Sequence, residues 1–493
     1  MSKLLFLSRA LCLVLVMSVG AFATSTAETI GFSAEGTAMG NAVVSIVHDW
    51  SSVFYNMAGL GRTRYRGKFS AAETGTKTMA LKKKADEGES KGESDDYYPN
   101  EICLGLIYTH PVFDIDISRF DSDGNSQPTD ATDDLNYGAL MVGIAFDCNN
   151  LYKLPEKIIS SCRLGLGLVT NWDLSVAQVN DVDMRSHNWL RYGREARRLS
   201  AFLGLGIGFL NDMFGFGIGV NASFSGEGKV SLDNVLVSGD PQTPEGQTKL
   251  DLSLMPYAVC GFYFDFGRAV SVLEGFSLGA SYRQQSYLKV DPFPTLAIIQ
   301  NGNIQMLLQL AIFDYYSPHN VSFGVSYTRW NVTLAFDVEY QMWSGYMVST
   351  TVEDVFERQI GIDLPDFEDI FIYKLGVSYD ALKWLTVMVG YSYQPTFVPD
   401  KAVTGIFNVL DNNKHIASLG ATFTVGKYFG MQGPIQLTLA YQFQYLEARD
   451  VKKNQAAIQD ALPTNYPYYA GLNPNYSYGG MVHSVLFGLT FKL

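Results

Sequence analysis

The sequence predicts an all-β protein: a 14-stranded antiparallel transmembrane β-barrel whose lumen is plugged by an N-terminal segment. Three observations lead there. Many segments alternate apolar and polar residues with a period of two, the pattern of strands with one greasy and one wet face. The connections between them alternate short and long, as periplasmic turns and extracellular loops do. One stretch, 31–60, fits neither pattern: it is rich in Gly, Ala and Ser and contains no Lys or Arg. Small residues of this kind suit a compact piece packed inside something else, where backbone meets backbone.

In chain order, the first element is an export signal. Lys3 and Arg9 supply a positive region, Ala10 to Val19 a short apolar run, and Ala21-Phe22-Ala23 a small-x-small cleavage site. The expected division is therefore 1–23 signal peptide, 24–62 plug and 63–493 barrel. Cys12 lies inside the apolar run and is read as part of the signal. After it no stretch has the apolar length of a membrane helix, yet the chain carries 29 Tyr, 31 Phe and 46 Gly with only 17% charged residues. A net charge of −13 argues against a nucleic-acid partner. Four cysteines remain after the signal and none forms a CxxC pair, so no zinc site is expected. Cys148 and Cys162 stand at the two ends of one connection. The periplasm permits their pairing, though free buried thiols are the commoner outcome.

The first strand is placed at 67–78, directly after the plug, followed by strands near 135–148, 162–176, 198–210, 214–225, 250–266 and 275–288. The rest fall near 318–329, 331–343, 370–380, 383–395, 414–426, 434–447 and 481–493. The cleanest is 331–343, with Val332, Leu334, Phe336, Val338, Tyr340 and Met342 on one face and Thr333, Ala335, Asp337, Glu339 and Gln341 on the other. A soluble sandwich would bury the apolar face, but rarely needs so many long strands. Residues 101–117 also read as a strand. An even count then assigns them to a hairpin arm of a first extracellular loop, with the charged run 82–96 as its solvated tip.

Within the plug the pattern is Gly36, Ala38, Gly40-Asn41-Ala42, Asp49, Ser52-Val53-Phe54, Asn56, Ala58-Gly59-Leu60. It resembles the N-terminal hatch of the FadL/TodX family, outer-membrane barrels that carry long-chain fatty acids and other hydrophobic compounds. Met57 stands where that family has proline, so the turn lacks a proline-fixed φ. Residues 337–344 and 398–420 resemble further family segments. In the second, Asp411 matches an aspartate, and Lys414 stands at a cation that could pair with a ligand carboxylate or simply with Asp411. Asn171 and Asp173 resemble a family strand break that opens the wall sideways, and an ordinary strand end explains them equally well. The loop 290–318 carries Leu296, Ile299, Met306, Leu307, Leu308 and Phe313. So apolar an outside loop needs a partner: it folds onto itself or caps the barrel mouth, or it is a landing site for an amphipathic ligand. The resemblance favours the landing site, because in the family the corresponding loop helps form a capture groove.

No catalytic constellation stands out. The six histidines are scattered, and His48-Asp49 with Ser51 nearby does not make a triad by spacing alone. The expected function is passive uptake of hydrophobic small molecules, long-chain fatty acids foremost, needing no cofactor or metal. Outer-membrane lipid and the barrel-assembly machinery are the other expected partners of a monomer. The rivals are a surface antigen or adhesin and, less favoured, an outer-membrane lipid hydrolase.

Overall fold

The computed structural model describes residues 26–63, 99–120, 126–128, 136–148, 158–172, 187–192, 200–233, 245–287, 294–299, 304–309, 316–346, 366–405, 408–426, 433–456 and 474–493. Fourteen long strands make its wall. They are β1 (Glu101–Phe120), β2 (Tyr137–Asp147), β3 (Ile159–Asn171), β4 (Ser200–Phe209), β5 (Phe214–Asp233), β6 (Glu245–Asp265) and β7 (Phe276–Arg283). The remainder are β8 (His319–Arg329), β9 (Val332–Met342), β10 (Ile370–Leu382), β11 (Leu385–Gln394), β12 (Lys414–Val425), β13 (Ile435–Val451) and β14 (Tyr476–Lys492). Each strand pairs antiparallel with the next, and β1 pairs with both β14 and β2, so the barrel closes without an edge.

The first strand requires a correction. Residues 101–117, expected as an arm of an outer loop, are the wall strand that closes the barrel. Glu101–Ile117 runs in register with Lys492–Tyr476, and Glu101–Thr109 with Ala145–Tyr137. The side chains explain why: Ile102, Leu104, Leu106 and Tyr108 turn outward and exposed, while Cys103 and Ile107 are buried toward the lumen. With this strand the even count is met. The stretch 67–78 and the run 82–96 lie outside the described residues, and placing 82–96 outside the cell rested on the superseded count.

The other expected strands are all present with shifted ends. On β9, Leu334 and Phe336 are exposed, whereas Thr333, Ala335, Asp337, Glu339 and Gln341 are buried, which is the alternation read from the sequence. Outward-facing Phe323, Val325, Val389, Leu419, Leu439 and Val485 continue an apolar exterior. The β4–β5, β8–β9 and β10–β11 connections are tight, and Asn211, Asp212 and Trp330 reach the left-handed region there, at φ 56°, 62° and 54°. The longest ladder is β5–β6, which stays paired out to Asp233 and Glu245.

The lumen holds two stacked cores. At the level of the short turns, residues from Ala27 to Leu60 bury their apolar side chains against the wall. Toward the long loops lies a second core built from Ile115, Trp189, Tyr192, Trp343, Phe397, Leu410, Tyr478 and their neighbours.

Candidate functional site

The N-terminal segment fits because the wall is hollowed to receive it. From β2 through β8, and again from β10 through β12, each strand carries a glycine facing the segment or the atoms around it. A methyl at Gly143 would overlap Trp50, one at Gly167 Phe32, one at Gly217 the backbone of Met57, one at Gly279 the backbone of Val44, and one at Gly390 Gly40 itself. Gly40 has φ +63° and lies against the Gly390–Tyr391 backbone, so no side chain fits it in either respect.

The family-like residues of the segment act mostly on one another. Asn41, itself at φ 59°, accepts from the Tyr55 hydroxyl at 2.7 Å and donates to the Ile30 carbonyl at 3.0 Å. The Tyr55 ring covers Gly36. Phe54 stacks on Phe32 at 4.8 Å and meets Phe202 of the wall edge-on. Asn56 donates to the carbonyls of Val44 and Phe262 at 2.7 and 2.9 Å and caps the turn of Met57–Gly61 by accepting from the Ala58 N–H. Gly59 sits against the Val47 carbonyl. Met57, in place of the family's proline, is fully buried with its thioether over Gly204 and Gly219. Packing thus steadies the turn where a ring would have fixed φ.

The wall grips this turn with charge. Arg163 donates to the carbonyls of Leu60 (2.6 Å), His48 (2.5 Å), Arg62 (3.0 Å) and Gly59 (3.3 Å), and Ser161 donates to Gly61 at 2.6 Å. Glu101, paired with Lys492, accepts from the Trp50 N–H at 2.5 Å. Asp337 of β9 accepts from the Val44 N–H at 2.9 Å. Burial, aided by the neighbouring Asp49 charge, raises the Glu35 carboxyl to about 7. Burial also raises Asp49 and lowers the His48 imidazole to about 3. Ser51 donates directly to Asp49 at 2.6 Å, with no histidine between them, so the adjacent His48 and Asp49 do not form the base pair of a hydrolase.

The upper core is assembled by loops that fold inward. Residues 188–189 run parallel to 409–410, placing Arg191 beside Asp411. Asp411 accepts from Arg191 Nε at 3.1 Å and Thr396 Oγ1 at 3.0 Å, and lies 3.7 Å from Lys414 Nζ. All three side chains are buried, two basic groups facing one carboxylate. Aromatic rings enclose them: Arg191 lies 4.8 Å from the Phe397 ring, which stacks on Trp343 at 3.8 Å, and Lys414 lies 5.1 Å from the Tyr192 ring. The cluster touches the N-terminal segment, because Thr29 donates to the Arg191 carbonyl, and Gln444, bonded by Tyr192, donates to Thr29. Above it opens a polar cavity of about 370 Å³ lined by Glu368, Thr396, Asp400, Asn412, Glu447 and Arg449. Lys453, in the loop after β13, is lowered to about 7 by burial and donates to the Val403 and Gly405 carbonyls.

Asp411 and Lys414 were legible from sequence. Arg191 was not, because a lone cation in a long loop has no periodicity or motif to mark it. Within the loop 290–318, residues 294–299 pair with 304–309 as a separate two-stranded ribbon, setting Leu296 opposite Leu307, Thr295 opposite Leu308, Ala297 opposite Met306 and Ile299 opposite Ile304. Phe313 and Asp173 lie outside the described residues. Asn171 ends β3 in regular pairing with Ala139. Among the described residues no three His, Cys, Asp or Glu are grouped to hold a metal ion.

A closed barrel of fourteen strands, apolar outside and filled within, defines an outer-membrane β-barrel protein. Residues 158–491 match the family described as outer membrane protein transport protein (OMPP1/FadL/TodX), and the chain belongs to that family. It is 23% identical over 370 residues to alkane uptake protein A of Marinobacter nauticus, covering 71% of this chain and 75% of that protein. Among solved structures it is similar to a Pseudomonas aeruginosa FadL homologue (12% identity, 96% of this chain and 99% of that one, TM-score 0.48). It is also similar to the Pseudomonas putida toluene transporter TodX (12% identity, 94% and 99%, TM-score 0.44).

Proposed function

We propose that the protein carries hydrophobic compounds inward across the outer membrane, and that long-chain fatty acids are the class its interior suits. A ligand is captured on the apolar loop 290–318, passes to the aromatic cluster around Arg191 and Lys414, and is released when the N-terminal segment shifts. Asn171 and Asp173 mark where a sideways exit would open. The observation that carries the acid is the charge count: Arg191 and Lys414 share the single carboxylate of Asp411 inside an aromatic enclosure. A buried cation without its own anion is costly, and a ligand carboxylate would complete the pairing. The relative named for alkane uptake supports a second reading, in which the cargo is an uncharged hydrocarbon.

Lys414→Met separates the two. A charge-assisted hydrogen bond contributes about 1.5–3 kcal/mol, so labelled oleate uptake should fall roughly tenfold or more while hexadecane uptake holds. Equal retention of both would favour a neutral cargo. Cells that take up neither compound faster than a deletion strain would sink the transport reading and leave the loops to an adhesin role.

A further inference from the structure

Two thiols at the short-turn rim are placed as partners. Cys148 directly follows β2 and Cys162 lies near the start of β3, one step beyond the ladder pair Asp147 and Arg163. The Cys148 N–H donates to the Cys162 carbonyl at 2.8 Å. Directly opposite residues of such a hydrogen-bonded antiparallel pair have Cα atoms about 5.5 Å apart, within the span a disulfide bridges. The Cys148 thiol donates weakly to the Phe146 carbonyl at 3.8 Å, and both cysteines are buried and reduced here. The neighbours of Cys162 on β3 are Ser161 and Arg163, the two side chains that grip residues 59–62.

We propose that Cys148 and Cys162 are joined as a disulfide in the mature protein, and that the bond steadies the end of β3 that holds the N-terminal segment. The short-turn rim faces the periplasm, an oxidising compartment. In the emerging chain an ordinary cysteine thiol, with a pKa of about 8.5, already holds a few per cent thiolate at neutral pH. The Cys148 thiolate attacks a sulfur of a disulfide-bearing thiol oxidoreductase as the chain emerges, releasing the oxidoreductase's second sulfur as a thiolate. Cys162 then loses its proton and attacks the Cys148 sulfur, which releases the other thiolate. The chain's two thiols give up two electrons and two protons, and the oxidant's disulfide becomes a dithiol.

The test uses the full chain extracted from outer membranes, denatured with excess alkylating reagent and no reductant, then digested for mass spectrometry. Cys103 and Cys260 should be alkylated, while Cys148 and Cys162 appear as one linked peptide pair, two hydrogen atoms lighter than the separate peptides. Alkylation of all four would overturn the bond. In the folded protein, reductant should speed hydrogen exchange of the amides at 57–62 severalfold. Unchanged exchange after verified reduction would overturn the steadying role.

Discussion

A single guanidinium does much of the work of seating the N-terminal segment. Arg163 serves four carbonyls that no other described donor reaches together, so Arg163→Ala strands buried acceptors at a cost of about 1–3 kcal/mol for each one that stays dry. Hydrogen exchange at 57–62 should accelerate more than tenfold, and Arg163→Lys should not restore it because an ammonium lacks the planar fork. No change in exchange would show that packing alone seats the turn. Met57 carries the packing share. Met57→Ala leaves a void over Gly204 and Gly219 and should destabilise the segment by about 2–5 kcal/mol, read as earlier protease cleavage of its N-terminal part.

Elements were legible where one physical pattern governed them. Period-two alternation found thirteen wall strands, because a face in lipid and a face in the lumen leave no freedom in register. It failed at β1 through counting: 67–78 alternates well enough to be taken for a strand, and accepting it pushed the equally regular 101–117 out of the wall. The apolar residues of the loop ribbon, proposed to receive the cargo, can be tested by substitution. Leu307→Asp with Leu308→Asp removes two apolar side chains worth about 1.5–3 kcal/mol each and adds charge that repels an anionic cargo. Oleate uptake should drop at least roughly tenfold, with heat-modifiable gel mobility confirming a folded barrel, and normal uptake would reduce the loop to a lid. The N-terminal segment itself should respond to pH. A carboxyl raised from about 4.5 to about 7 favours the seated form while protonated, and that contribution is lost as pH rises through this window. His48, lowered to about 3, acts in the opposite sense between 3 and its usual 6.5. The ratio of wild-type to Glu35→Gln exchange in residues 30–45, taken at each pH, isolates the carboxyl and should climb between about pH 4.5 and 7 and level off above. A flat ratio would mean Glu35 stays solvated.

At the scale of the whole molecule, the corrected topology puts the start of β1 at the short-turn rim, where Asn100 accepts from the final Leu493 N–H at 2.8 Å. Asn100→Cys in a cysteine-free background should therefore label from the periplasm and not from outside intact cells; the reverse would restore the earlier strand count. The upper cluster was only half legible, since Asp411 and Lys414 lie in a family-like stretch while Arg191 reaches them only through three-dimensional loop folding. The glycines of the wall were in plain view as Gly165-Leu-Gly167 and Gly204-Leu-Gly206, yet their meaning needs the piece they surround. That reciprocity sets a rule for inheritance. The segment and the strands are mould and cast, so neither can drift in bulk without the other. Transplanting the first sixty residues of a relative into this barrel should succeed only when the recipient's glycines are exchanged with them.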